Sequence, residues 1–71
     1  MLRQTGHRIA AARSALGLTQ EDASDRSGID YKRWQRLEAG QVNPTIKTLV
    51  RVAEALEIDV WVMLEGKTRR R

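Results

Sequence analysis

The side chains with the clearest chemistry lie in a short basic segment near the middle of the chain. No carboxylate lies between Asp30 and Glu38, and the side chains there that can form hydrogen bonds are Tyr31, Lys32, Arg33, Gln35 and Arg36. A short helix with such a face fits the major groove of duplex DNA, where it can reach base edges. The alternative interpretation is a solvated charged face without a ligand.

Residues 19–40 supply the elements that would position this segment. Thr19 can cap a helix, and Asp22 answers it at the spacing of a capping box. Gly28 tolerates the left-handed backbone conformation that lets the chain leave this helix abruptly. Asp30 is a good N-cap for a second helix, which would stop at Gly40. The pattern predicts two short helices joined by a tight turn.

The composition bounds the class of function. The 71 residues include no cysteine and a single histidine, and a chain of this length forms one small domain. Without a thiolate, a histidine pair or clustered carboxylates, the chain lacks a nucleophile–base set and a metal site. We therefore expect no enzyme activity, no metal and no cofactor.

The charge favours an anionic partner. The net charge is +4 and the sequence pI is about 10.4, although many small proteins this basic bind no nucleic acid. No apolar run approaches the ~18 residues of a membrane span, and no signal-peptide pattern opens the chain. We therefore expect no membrane association and a cytoplasmic location.

Helical periodicity also precedes the central unit. In residues 2–16, Ile9, Ala12 and Leu16 recur at spacings of three and four residues. This spacing predicts a first helix with one buried stripe. Gly17 would end that helix.

Two further helices are predicted after the central unit. Thr45 can cap a fourth helix, whose predicted apolar face consists of Ile46, Leu49, Val50, Val52, Ala53 and Leu56. Asp59 can cap a last short helix over residues 60–64, which Gly66 would end. Residues 1–66 are then the folded domain and residues 67–71 a flexible basic tail. No segment is typical of a strand.

The motifs occur in an order that resembles a known family. They are Gly6-x-Arg8-Ile9 with Arg13, Leu18-Thr19-Gln20-Glu21, Gly28-Ile29, Leu37-Glu38-x-Gly40, Asn43-Pro44, and Leu49 through Ala53 to Leu56. Residues 6–64 thereby resemble the phage-repressor and Cro-type helix-turn-helix domain, also called the xenobiotic-response-element family. The resemblance implies an all-α, five-helix, repressor-like bundle whose third helix enters the major groove.

Three residues depart from the family pattern. Ala23 stands where the family usually has Leu, Ser24 where Ala is usual, and Trp34 where Ile or Val is usual. We expect the Trp34 indole to lie in the core and to fill the space left by the missing Leu side chain, because cores tolerate swaps that conserve volume. Base stacking by Trp34 is the alternative.

The resemblance assigns base contacts to the third helix. Tyr31, Lys32 and Arg36 occupy the family's usual base-contacting positions, and we expect Gln35 to join them. Arg36 can form a bidentate pair with guanine O6 and N7, whereas Lys32 can reach a guanine or a phosphate. Tyr31 can donate to a phosphate or pack on a thymine methyl group.

Phosphate contacts are expected from three elements. Gln20 matches a glutamine that in the family contacts a phosphate and steadies the third helix. Arg33 is better placed for the DNA backbone than for bases. Thr45 and Lys47 begin the fourth helix, whose free N–H groups suit a phosphate. The plainer interpretations are a first-turn residue for Gln20 and an N-cap for Thr45.

Two further pairs of residues carry structural expectations. In the family, the counterparts of Arg13 and Glu38 form an ion pair between the first and third helices. Trp61 and Val62 should point outward from the last helix, since Val60, Met63 and Leu64 form its inward stripe. Exposed apolar side chains that cluster suggest an interface, here a homodimer seam or a protein-partner site. The alternative is that Trp61 lies against its own domain.

The function expected from these observations is sequence-specific binding of double-stranded DNA by a dimeric transcriptional repressor or regulator on a near-palindromic site. The alternative is an antitoxin-type interaction module that neutralises a partner and represses its own operon. The exposed Trp61–Val62 patch would distinguish the alternative by retaining a second protein.

Overall fold

The computed structural model describes residues 2–65, and they form five α-helices without a strand. The helices are α1 (Leu2–Ala15), α2 (Gln20–Ser27), α3 (Tyr31–Ala39), α4 (Ile46–Leu56) and α5 (Val60–Glu65). The all-α, five-helix prediction is confirmed. Gly66 and the basic tail predicted over residues 67–71 lie outside the described residues.

Side-chain caps begin α2, α3 and α4, as predicted. Thr19, Asp30 and Thr45 each accept a hydrogen bond from a backbone N–H of the first turn that follows. Such caps satisfy N–H groups that have no partner inside the helix. Gly28 and Gly40 end α2 and α3 in the left-handed conformation, with φ of 72° at both residues. The boundaries of the central unit therefore follow from local sequence.

The core is aliphatic except for one indole. Its buried members are Ile9, Ala23, Ile29, Trp34, Leu37, Leu49, Val52, Ala53, Leu56 and Met63. Trp34 and Ala23 are both fully buried, at 0% exposure. The prediction that Trp34 is a core residue is confirmed, and Ala23 belongs to the same cluster. That the indole fills the space of the missing Leu side chain stays a prediction.

The predicted stripe of α1 is wrong at Leu16. Ile9 is buried and Ala12 packs against the core, but Leu16 is 40% exposed. The helix ends at Ala15, and the chain then turns through Gly17 at a φ of 72°. Helical spacing no longer sets the direction of a side chain beyond the last helical residue. Leu16 therefore points away from the core.

The predicted apolar face of α4 is wrong at Ile46 and Val50, which are 68% and 40% exposed. Ala55, which was not predicted, is buried in their place. Successive helical residues are rotated by about 100°, so Val50 and Ala55 lie on opposite flanks of the stripe centred on Leu49 and Leu56. The sequence pattern ranked the more apolar valine above alanine, whereas the structure buries Ala55, which lines a depression together with Arg26 and Ser27 of α2.

Helix α5 has the predicted inward side. Met63 is fully buried, and Val60 and Leu64 pack against the core. Trp61 is 39% exposed, as expected of an outward residue, whereas Val62 is half-buried and was wrongly expected to be exposed. The backbone N–H of Trp61 donates to the Asp59 carboxylate at 2.7 Å, which caps the helix start.

Helix α1 approaches α3 through a glycine. A Cβ added at Gly6 would lie 2.8 Å from the carbonyl oxygen of Leu37 and closer still to that of Glu38. Only a residue without a side chain allows this contact between a helix and a neighbouring backbone. Gly6 appeared in the sequence analysis only as part of the family motif, and the close approach was missed.

Helix α1 also binds the carboxyl end of α5. The Arg8 guanidinium donates from Nη1 to the carbonyl oxygens of Met63, at 3.1 Å, and Leu64, at 2.7 Å. Carbonyl groups in the last turn of a helix lack intrahelical donors, and a cation is favoured there. Arg8 was part of the family motif, but nothing in the sequence indicated which carbonyls it would bind.

The carboxylate of Glu38 joins α1, α2 and α3. Arg13 donates to it twice, from Nε to Oε2 at 2.6 Å and from Nη2 to Oε1 at 3.2 Å. Gln20 donates from Nε2 to Oε1 at 2.9 Å, and the Trp34 indole donates from Nε1 to Oε2 at 2.6 Å. Each oxygen therefore accepts two hydrogen bonds. The Glu38 side chain is only 7% exposed, so these donors replace its hydration.

The pKa of Glu38 reflects the opposing effects of burial and of these hydrogen bonds. Burial by itself would raise the pKa, but the hydrogen bonds from Arg13, Gln20 and Trp34 hold the pKa below its ordinary value of 4.5. A carboxyl group with a depressed folded pKa contributes stability above its unfolded pKa and loses it as the pH falls through the folded value. Glu38 is therefore ionised at neutral pH, and its ionised form stabilises the fold.

We predict strong non-additivity between Arg13 and Glu38. Either single alanine substitution should lower the free energy of unfolding by up to about 3–5 kcal/mol, because it leaves a poorly hydrated charge without its partner. The double substitution should cost clearly less than the sum of the two. Urea unfolding of the four proteins measures the coupling, and simple additivity would show that the pair has no energetic coupling.

Acid unfolding provides a second measurement of the same carboxylate. As the pH falls below about 4.5, the wild-type protein should lose stability more steeply than Glu38→Gln, which has no carboxyl group to protonate there. Parallel stability curves for the two proteins would contradict the stabilising role of the ionised form.

Candidate nucleic-acid interface

Side-chain hydrogen bonds fix the start of α2 and the turn that joins it to α3. Thr19 and Asp22 form the predicted capping box, with reciprocal hydrogen bonds of 3.0 Å. The backbone N–H and hydroxyl of Thr19 lower the pKa of the Asp22 carboxyl. At the other end of α2, the Ser24 hydroxyl donates to the carbonyl oxygen of Ile29. The serine that departs from the family pattern thus ties the turn to α2.

Helix α3 is held at both ends, and one side of it is buried. Asp30 accepts from the backbone N–H groups of Lys32 and Arg33 at its start. At its end, the Gly40 N–H donates to the carbonyl oxygens of the preceding turn. Trp34 and Leu37 fill the buried side. Its exposed polar residues are Tyr31, Lys32, Arg33, Gln35 and Arg36, which are the five noted in the sequence.

Two of the predicted base-contacting residues already share hydrogen bonds. The Gln35 side-chain Nε2 donates to the Tyr31 hydroxyl at 3.1 Å. The same nitrogen donates to Gln20 Oε1 at 3.4 Å. Because Gln20 also donates to Glu38, a continuous chain of hydrogen bonds runs from the ion pair to the exposed face of α3. Sequence reasoning expected Gln20 to steady α3 but did not predict this route.

The cationic residues of α3 are open to a ligand. Lys32, Gln35 and Arg36 line a shallow depression of about 450 Å³ together with Ala39 and Gln41. Over residues 4–64, whose side chains the structure describes, no hydrogen bond or ion pair joins the side chain of Lys32, Arg33 or Arg36 to another group. Arg33 lies outside this depression. The arrangement brings Lys32, Gln35 and Arg36 together and separates Arg33 from them.

The start of α4 exposes Thr45 and Lys47. The Thr45 hydroxyl accepts from the backbone N–H of Thr48 at 3.1 Å and shares a second hydrogen bond of 3.0 Å with the Thr48 hydroxyl. Thr45 is therefore an N-cap, and this role is compatible with a phosphate lying against the first turn. Lys47 adds an exposed cation in the first turn of α4.

None of the helices described over residues 2–65 has the length and apolar character that crossing a bilayer requires. The large apolar side chains that are exposed do not lie in one segment but are spread along the chain. They are Leu16, Tyr31, Ile46, Val50 and Trp61.

Comparison with known proteins identifies the family. The helix-turn-helix family model matches residues 9–60, which is most of the chain. The chain is 38% identical over 53 residues to the transcriptional repressor RstR of the cryptic phage CTXphi of Vibrio cholerae, with 75% of this chain and 47% of that protein covered. The chain thus spans about half the length of that repressor.

A second relative is matched over more of its length. The chain is 40% identical over 58 residues to y4dJ of Sinorhizobium fredii, an uncharacterized HTH-type transcriptional regulator, with 82% of this chain and 75% of that protein covered.

Solved structures agree with these relatives. The restriction-modification controller protein C.AhdI of Aeromonas hydrophila superposes with a TM-score of 0.85 at 32% identity, covering 87% of this chain and 94% of that one. The controller protein C.Esp1396I gives a TM-score of 0.82 at 31% identity, covering 92% and 84%. The chain therefore belongs to the XRE-type helix-turn-helix family.

Proposed function

We propose that this chain binds double-stranded DNA sequence-specifically, with α3 in the major groove. The observation that carries the proposal is the exposed face of α3, which presents cations and an amide without a carboxylate. The opposite side of the same helix is fixed by the burial of Trp34 and Leu37. A reading helix needs this combination, because base discrimination requires side chains held in a fixed register.

The proposed contacts divide into two kinds. Tyr31, Lys32, Gln35 and Arg36 contact base edges, with Arg36 forming a bidentate pair with a guanine. The phosphate contacts come from Gln20, Arg33, Thr45 and Lys47. These contacts fix the register of α3 without carrying sequence information.

The proposed biological role is repression of transcription by a homodimer on a near-palindromic operator, in the cytoplasm. The relative RstR is a transcriptional repressor, and both controller proteins belong to restriction-modification systems. Dimers of this type place their reading helices in half-sites about one helical turn, ~34 Å, apart. The exposed Trp61 supports an association surface on α5, with the half-buried Val62 beside it in the chain.

Selection of bound sites from random duplex DNA tests this proposal. We expect one enriched motif with two-fold symmetry. Binding to this motif should weaken as the salt concentration rises, because the protein's cationic side chains release counterions condensed on the DNA. For each phosphate contact, log K should fall by about 0.9 for each unit of log salt. Equal affinity for all sequences at about 150 mM salt, or a slope near zero, would refute sequence-specific binding.

Arg36 and Lys47 should respond differently to alanine substitution. Arg36→Ala should cost about 1–3 kcal/mol on the selected site and relax the preference at one base pair. Lys47→Ala should weaken binding to all sequences alike and reduce the salt slope by about one unit. Fluorescence anisotropy on the selected duplex and its single-base variants measures both effects.

Arg51→Ala is the matched control for charge. Arg51 is exposed on α4 and lines a different depression with Arg26, Ser27, Glu54 and Ala55, so its removal lowers the net charge equally without touching the α3 face. A uniform loss from Arg36→Ala, without relaxed preference, would show that α3 is not the reading element.

Trp61→Glu should separate association from folding. The substitution places a charge on a surface residue, so the monomer should stay folded by circular dichroism while sedimentation equilibrium shifts towards monomer. Binding to the full site should fall much more than binding to an isolated half-site, because linked half-sites raise the effective concentration. Ala11→Glu, at an exposed position on α1, adds the same charge elsewhere and should change neither property.

The results for Trp61 also test the alternative role. Unfolding by Trp61→Glu would make the residue part of the core. An unchanged monomer–dimer equilibrium combined with the loss of a co-purifying protein would favour the antitoxin-type interaction module, for which the exposed Trp61 is the supporting observation.

A further inference from the structure

The direction of the hydrogen bonds around Gln20 is set by Glu38. An ionised carboxylate can only accept, and Glu38 Oε1 lies 2.9 Å from the Gln20 amide nitrogen. The Gln20 amide must therefore turn its Nε2 towards Glu38. Its oxygen is left facing Gln35, whose side-chain nitrogen lies 3.4 Å away.

This orientation fixes the next amide as well. If Gln35 were reversed, its oxygen would face the oxygen of Gln20, with no hydrogen between them. In the observed orientation, Gln35 donates one Nε2 proton to Gln20. Its nitrogen also lies 3.1 Å from the Tyr31 hydroxyl oxygen, which can accept the second proton. A primary amide has two N–H donors, so both donors of Gln35 are bound to acceptors of the protein itself.

The groups left for a ligand follow from this count. Gln35 is an exposed residue that lines the depression beside Lys32 and Arg36, and its remaining capacity is the carbonyl oxygen Oε1. The Tyr31 hydroxyl accepts from Gln35, and its own proton remains to be donated. We propose that Gln35 reads its base pair solely as a hydrogen-bond acceptor and that Tyr31 acts beside it as a donor. This proposal rests on the proposed DNA binding.

The consequence for base choice is specific. In the major groove, the donors on base edges are the exocyclic amino groups, N4 of cytosine and N6 of adenine. A glutamine with a free amide usually pairs with adenine through both N6 and N7, because it donates to N7 while it accepts from N6. Gln35 lacks the free donor for N7. It should therefore accept a single bond from an amino group and be indifferent to purine N7.

A first measurement needs no DNA. In the free protein, nitrogen-15 NMR should show slower exchange with water for the Gln35 side-chain amide protons than for those of Gln41. Gln41 is an exposed glutamine in the same depression, and no side-chain hydrogen bond of Gln41 lies within residues 2–65. The combined change Gln20→Met and Tyr31→Phe removes both acceptors and should bring Gln35 to the rate of Gln41. Equal rates in the wild-type protein would overturn the inference.

The second measurement uses base analogues in the selected duplex, at the base pair whose preference Gln35→Ala relaxes. Replacing adenine by purine, or cytosine by 2-pyrimidinone, removes the amino group and should weaken binding about three- to tenfold, the effect of one hydrogen bond. Replacing adenine, or guanine, by its 7-deaza form removes N7 and should change affinity less than about twofold. A comparable loss from the 7-deaza base would overturn the inference.

Gln20→Met supplies a test with a gain of sensitivity. Removing the Gln20 acceptor frees one Gln35 proton, so on a site with adenine at this position the variant should become sensitive to the 7-deaza replacement. Continued indifference to N7 on the adenine site would contradict the link between Gln20 and base choice.

The two measurements distinguish the possible failures. Protected Gln35 protons without any preferred duplex would refute the proposed function while leaving the hydrogen-bond direction intact. A preferred duplex with unprotected Gln35 protons would refute this inference and leave the proposed function standing. A Gln35→Ala variant that relaxes no base pair would remove Gln35 from the reading face.

Discussion

One nearly buried negative charge organises this small domain. Glu38 lies at the end of α3, and its carboxylate must find donors because little water reaches it. The donors come from α1, from α2 and from α3 one turn earlier. Since a carboxylate with too few donors is costly, the three helices can meet only in an arrangement that brings Arg13, Gln20 and Trp34 to one point. The orientation of the exposed face of α3 follows from that meeting.

Trp34 shows how a departure from a family pattern can serve two needs at once. Its ring lies in the same core cluster as the small Ala23, and its N–H completes the set of donors on Glu38. An Ile or Val at this position would offer no donor. The bulk of the indole could be inferred from composition, because a core without Phe needs a large side chain. Its hydrogen bond could not be inferred, because it depends on where the end of α3 meets α1 and α2.

Elsewhere in the fold, too, the features that depend on nearby residues could be predicted from the sequence, whereas those that depend on how the helices meet could not. Caps such as Thr19 and Asp30 act on residues two or three positions away, so spacing alone identifies them. The exposed set on α3 was also predictable, since Trp34 and Leu37 define its opposite side. Leu16, Ile46 and Val50 were misjudged because helix ends and the centre of a buried face are decided by neighbouring helices. Gly6 and Arg8 act on residues far along the chain, and local pattern carries no information about such partners.

The contacts of α1 make this helix a common anchor for two distant surfaces. Arg13 holds the end of α3, whereas Arg8 holds the last turn of α5, the helix that carries Trp61. A helix as short as α5 does not persist in water without such support. The exposed face of α3 and the outward side of α5 therefore both depend on α1. A single proteolytic cut within α1 should disturb both faces together.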